Sequence, residues 1–306
     1  MSCGLNPGHI LPMTKIPVLE TIASAYRFTF NQLGAIIGLI WIPQLLASVI
    51  EYLTSRPFAL RILAGDSAEA ASQEHLLAMA GEGVVFFLMA VMAVAVARQA
   101  MGLRKGPAVA YFAFGRPEAR VFGGLAALGF LSVASFMALV LSSGFLTKIP
   151  GNVGQLAASA ALLVVGGALT YAIIRLTAVQ VPASLAHEDY GIERSWLMTR
   201  GNFWRLFAVM LACVAPVLLI TRIAFVIAAG PDSFPQDLSA LQDQQALMDL
   251  EAKQLLLAAR TQPLMLALDF ALAPFKFGLA MGATAAVFKV LSATRPQPAQ
   301  DNGPIT

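Results

Sequence analysis

Charge is what this chain has least of. Only 12% of its 306 residues are Asp, Glu, Lys or Arg, against about 25% in an ordinary globular domain. No polar stretch is long enough to bury a core of its own, which excludes a soluble enzyme domain. Histidine is scarcer still. His9, His75 and His187 are far apart in sequence, so no clustered metal site is expected. Cysteine is limited to Cys3 and Cys213, which excludes a disulfide framework or a paired thiolate site. Neither a Gly-x-Ser-x-Gly elbow nor a glycine-rich phosphate loop occurs, and no catalytic residue, cofactor or metal is called. The first 17 residues carry Pro7, Pro12 and Pro17 and lack an apolar core, so a cleaved signal peptide is not expected.

What the chain has in abundance is apolar sequence. Apolar residues make up 58% and the mean hydropathy is +0.73. Long uncharged runs carry this excess and predict an all-α polytopic membrane bundle. Six transmembrane helices are expected at about 33–52, 83–101, 121–141, 153–176, 206–229 and 266–290. They form one membrane domain over 18–291, with disordered tails at 1–17 and 292–306. The connections 53–82 and 230–263 are acidic, and Leu238, Leu241, Met248 and Leu255 suggest a surface helix in the second.

The net charge of +3 does not point to nucleic acid, because the basic residues flank apolar spans. Thirteen Lys and Arg fall on the side of both termini and five on the other. The positive-inside rule then places both termini in the cytoplasm and the protein in a bacterial inner membrane.

Two segments share a layout. Shifting the first by 173 residues superposes Glu20 on Glu193, Arg27 on Arg200, Phe30 on Phe203, Leu33 on Leu206 and Pro43 on Pro216. This suggests an internal repeat of three hairpins, each preceded by a cytoplasmic amphipathic helix lying in the interface. The first such helix is expected over 18–31, with Val18, Ile22, Tyr26 and Phe30 as its apolar stripe. The second is expected over 190–203, followed by a turn at Gly201-Asn202. Trp196 and Trp204 suit the interface. Arg27, Arg194, Arg200 and Arg205 are placed to reach anionic lipid headgroups, each worth about 1 kcal/mol near a charged leaflet.

The run Val181-Pro182, Gly191, Ser195-Trp196-Leu197 and Thr199-Arg200-Gly201-Asn202-Phe203-Trp204-Arg205 resembles a motif of a bacterial six-span group. That group includes the membrane domain of glycerophosphoryl diester phosphodiesterases and related stand-alone membrane proteins. The resemblance implies a membrane-domain fold. It does not carry over phosphodiesterase activity, which belongs to a separate soluble barrel for which this chain has no room.

Away from the span ends, three ionisable residues fall inside spans: Arg222, Asp269 and Lys276. Such residues are costly in lipid and are functional candidates. Arg222 and Asp269 lie at similar depths on antiparallel spans and are expected to pair. Lys276 is two turns beyond Asp269 along the same helix face, with Pro274 between them. The small-residue runs Gly166-Gly167-Ala168 and Gly278-x-x-x-Gly282 have the composition of helix-packing faces. Two functional readings follow. One is a non-enzymatic membrane protein that organises or contacts lipids or membrane partners. The alternative is a small transporter using Arg222, Asp269 and Lys276.

Overall fold

The protein is described from a computed structural model covering residues 15–63, 72–104, 111–113, 115–146, 152–230 and 244–293. The described residues form an all-α bundle. A leading helix α1 (Val18–Asn31) is followed by α2 (Leu33–Leu63) and α3 (Ser72–Met101). Then come α4 (Arg116–Leu146), α5 (Asn152–Thr177), the short α6 (Gln180–His187) and α7 (Ile192–Met198). The last two are α8 (Phe203–Ala229) and α9 (Gln244–Ser292). Six stretches are long and apolar enough to cross a membrane, one in each of α2, α3, α4, α8 and α9 and one running through α5 into α6. They pack as the hairpins α2–α3, α4–α5 and α8–α9. The molecule is a multi-pass integral membrane protein.

Several helices outrun the expected spans. α2 continues to Leu63 and α3 begins at Ser72, so most of the expected polar connection is helical. The two extensions are tied by a 2.8 Å ion pair between Arg61 and Glu74. The surface helix expected ahead of the sixth span is the first part of α9, which is continuous through Pro263 and Pro274. Its 49 residues extend roughly 74 Å at 1.5 Å per residue, well beyond the ~30 Å of a hydrocarbon core. Leu238 and Leu241 lie outside the described residues.

The three hairpins are gathered at one end, called here the basic end. Ile16, Ala178, Val179, Ala183, Met198, Leu206, Val287, Phe288 and Leu291 form a single core cluster there. Ile16, expected in a disordered tail, is fully buried. Its N–H donates to Asn202 Oδ1 at 3.1 Å, and its carbonyl accepts from the Arg205 guanidinium at 2.8 Å. α6 is also inside: Gln180 to Ser184 are all buried, packed among α3, α4 and α9.

α1 is more than an interfacial helix. Its buried face is Thr21, Ala25 and Thr29, one residue out of phase with the apolar stripe; Val18, Ile22 and Tyr26 lie half-buried along the packing edge and Phe30 is exposed. The reason is on α9. A Cβ on Gly278 would sit 2.7 Å from the Thr29 methyl, and one on Gly282 would sit 3.3 Å from the Ala25 backbone. The Gly278-x-x-x-Gly282 face thus lets α1 lie almost backbone to backbone on α9. Pro216 adds a second fastening. It has no N–H to give to the Ala212 carbonyl one turn earlier, and the Tyr26 hydroxyl donates to that carbonyl at 3.0 Å. Burial raises the Tyr26 pKa, so it remains a donor. By contrast, nothing lies within 4 Å of a Cβ on Gly166 or Gly167, so the other small-residue run packs against nothing within the described residues.

Candidate functional site

The three intramembrane charges do not pair as the depth argument expects. Asp269 is held on its own helix: Lys276 Nζ donates to Asp269 Oδ1 at 2.6 Å. Asp269 Oδ2 accepts from Gln44 Nε2 of α2 at 3.0 Å. Arg222 is exposed on α8 and lies over the Phe225 ring, 5.4 Å from its centre. The expected Arg222–Asp269 pair is corrected accordingly. Its premise was a span beginning at a loop near residue 264, but α9 is helical from Gln244, so distance from a loop end does not measure depth on both strands of the hairpin. The long Lys276 side chain reaches the carboxylate two turns back without leaving its helix.

Gln44 was overlooked in the sequence, although an amide inside an apolar span was a readable signal. It is buried and presents its amide to α9. Glu51, seven residues further along α2, is within electrostatic reach of both Asp269 and Lys276. Gln44 and Glu51 on α2, and Asp269 and Lys276 on α9, therefore each lie two turns apart.

The pair forms one wall of a cavity of about 290 Å³. Met89 of α3, Cys213, Val217 and Thr221 of α8, and Phe277 and Ala280 of α9 are among its other lining residues. Asp269 and Lys276 both line the cavity and each keeps 38% of its side-chain surface. The volume is at the lower end of the small-molecule range of about 300–1,000 Å³. A mostly apolar lining with one ion pair suits a molecule with an apolar body and a single polar group.

The residues expected at headgroup level separate into two sets. Arg27, Arg200 and Trp204 are exposed, Trp204 at 76%, and remain available to a surface. The others are engaged within the protein. Arg205 holds the Ile16 carbonyl. Arg194 pairs with Asp189 at 2.8 Å, and Asp189 also accepts from the Gly191 N–H at 2.8 Å. Burial raises the Asp189 pKa, but the hydrogen bonds and the Arg194 charge outweigh it and leave that pKa below the usual value.

Trp196 belongs to a clamp that the sequence did not disclose. Arg175, at the end of α5, is only 5% exposed. Its guanidinium stacks over the Trp196 ring at 3.8 Å and donates to the Trp196 carbonyl, to the Tyr171 hydroxyl at 3.0 Å and to Thr199 Oγ1 at 3.3 Å. Ser195 Oγ donates to the Arg175 carbonyl at 2.7 Å and accepts from the Val179 N–H at 3.2 Å. The Ser-Trp-x-x-Thr run thus closes the corner between α5 and α7. The expected helix over 190–203 shrinks to α7: Gly201 adopts φ +76°, and Asn202, whose side chain bonds Ile16, stands immediately before α8. Gly191 is needed as glycine: φ is +72° and a Cβ would press into the backbone of Gln180 and Ser184.

The fold and this cavity define a class, the polytopic helical membrane protein with an intramembrane charged pocket. No family model matches the chain, and no curated protein or solved structure is significantly similar to it.

Proposed function

We infer that the protein is a non-enzymatic component of a bacterial inner membrane, with both termini cytoplasmic, that holds an amphiphile from the bilayer in the pocket beside Asp269 and Lys276. The observation that carries this reading is the ion pair on the wall of an otherwise apolar cavity of about 290 Å³ inside the spans. Charge in a span is costly, and here it lines a cavity and stays partly exposed. The thirteen-to-five excess of Lys and Arg on the side of the termini supports the orientation. The exposed Arg27, Arg200 and Trp204 support contact with anionic lipid at that side. The internal repeat is supported by the phase of burial: at the 173-residue offset, Ala25 and Met198, Thr29 and Asn202, Ile36 and Val209, and Ile40 and Cys213 are buried in both copies. The resemblance of the 181–205 run to the six-span membrane-domain group supports a membrane-domain fold and says little about activity.

The test is an inventory of molecules released from the purified full chain, compared with the pocket-filling variant Ala280→Phe. The wild type should carry an amphiphile near one copy per chain, and the variant should lose it. Equal recovery from both would overturn the reading. A second reading, a small transporter, is favoured by the Gln44–Asp269–Lys276 contacts with Glu51 nearby. It requires ion or proton flux in proteoliposomes that Lys276→Met abolishes.

A further inference from the structure

A second cavity, of about 520 Å³, lies at the basic end and shares no lining residue with the intramembrane pocket. Its walls come from three elements. Arg98 is in the last turn of α3, Arg120 is in the first turns of α4, and Leu185 and Glu188 close it from α6. Arg104 and Tyr111 complete it.

Three guanidinium groups facing one space repel unless something anionic compensates them. One compensating group sits behind the wall. Glu118 is only 1% exposed; it accepts from the Tyr111 hydroxyl at 2.7 Å and from the Gly115 N–H at 3.0 Å, and it lies 3.7 Å from Arg98. Arg98 also donates to the Tyr111 hydroxyl at 2.9 Å. Burial and the hydrogen bond to Glu118 push the Tyr111 pKa up to about 12, so this phenol stays a neutral donor. Arg104 lies over the face of the same ring at 5.1 Å. The wall is therefore fixed, and Glu118 is fully engaged in fixing it.

The other compensating group is at the rim and poorly held. Glu188 keeps 83% of its side-chain surface and reaches Arg120 only at 3.9 Å. Its backbone is left-handed, φ +60°, the only such non-glycine residue among those described. This conformation costs a non-glycine residue about 1–2 kcal/mol. An exposed and weakly held carboxylate thus lies where an anion would meet Arg120.

We propose that this cavity binds a phosphate group, with Arg104 and Arg120 as its contacting side chains, the Arg98–Tyr111–Glu118 network as its rigid wall and Glu188 as the resident carboxylate that the ligand displaces. Planar guanidinium groups match phosphate oxygens in geometry as well as charge. The phosphate comes either from an anionic lipid headgroup or from solution.

The experiment uses the full chain in phosphatidylcholine nanodiscs. Phosphatidylglycerol is added to the discs in one arm and inorganic phosphate to the buffer in the other, and binding is followed by native mass spectrometry and equilibrium dialysis. Saturable binding of phosphatidylglycerol that phosphate does not displace assigns a lipid headgroup; direct phosphate binding assigns a soluble ligand. In either case Arg104→Gln and Arg120→Gln should each weaken binding about fivefold, whereas Glu188→Gln should strengthen it. The opposite signs separate a site effect from misfolding, which weakens binding in every variant. Absence of binding by both probes, wild-type affinity in the arginine variants, or weaker binding by Glu188→Gln would overturn the proposal.

Discussion

The segments leading into α2 and α8 share Glu20 with Glu193, Arg27 with Arg200 and Phe30 with Phe203 at one offset, yet they are fastened in different ways. α1 lies on α9 through small residues, with Ala25 and Thr29 against Gly282 and Gly278. α7 is held by a buried cation, with Arg175 stacked on Trp196 and bonded to Thr199. Below the lead-in the phase of burial agrees, since Ile36 and Val209, and Ile40 and Cys213, all face inward. Four residues deeper the chemistry parts again. Gln44 gives its amide to Asp269, whereas Val217, at the equivalent offset, is an apolar lining residue of the pocket. The inward faces of α2 and α8 coincide at the shared offset, and individual residues decide what holds each face and what it can bind.

The α2 side of this contrast rests on a polar contact, and breaking it should have the largest effect. Asp269→Ala leaves Lys276 without its carboxylate, and a buried pair broken in this way loses about 3–5 kcal/mol. The half-open setting should place the value at or below the lower end of that range. Adding Lys276→Met should recover most of the loss, and Arg222→Leu alone should leave stability nearly unchanged. Thermal unfolding in detergent checks all three; rescue of Asp269→Ala by Arg222→Leu instead would restore the pairing that the structure rejects.

On the α8 side the expected loss is next in size. Arg175→Lys keeps the charge but not the fork or the flat stacking surface. It should cost about 1.5–3 kcal/mol, the range for a charge-assisted hydrogen bond. Limited proteolysis should then cut between Thr199 and Arg205 faster than in the wild type, while the cutting rate within α1 stays the same.

Small-residue packing gives the third test. Gly282→Leu should destabilise by about 1–3 kcal/mol through overpacking, because the Ala25 backbone cannot move aside as a side chain can. Gly166→Leu, with open space around it, should be silent. If both glycines tolerate leucine equally, α1 is not seated on α9 as described.

The smallest effect concerns the hydroxyl that ties the first lead-in to α8. Tyr26→Phe should cost about 0.5–1.5 kcal/mol by leaving the Ala212 carbonyl without its donor. In a Pro216→Ala background, where α8 can satisfy that carbonyl itself, the same substitution should cost less. A double-mutant cycle measures the difference, and strict additivity would show that the hydroxyl does not serve the proline gap.

The sequence by itself determined the membrane class, the number of apolar stretches and the hairpin order, because lipid admits long apolar helices and little else. It also exposed the Gly278-x-x-x-Gly282 face, since only glycine spacing permits so close an approach. Tertiary structure alone decided which partners meet. The Asp269 carboxylate meets Lys276 and Gln44, whereas Arg222 is exposed on α8 beside Phe225. Arg175 looked like one more cation at a span end until α7 folded back across it. Ile16 looked like tail until Asn202 and Arg205 took both of its backbone groups. Apart from Asp269 and Lys276, which lie two turns apart on one helix, these contacts join residues whose sequence separation carries no periodic signal. Apolar patterning repeats along the chain and can be read locally, whereas a polar contact is specific to one pair of atoms and exists only once the packed helices bring them within hydrogen-bond distance.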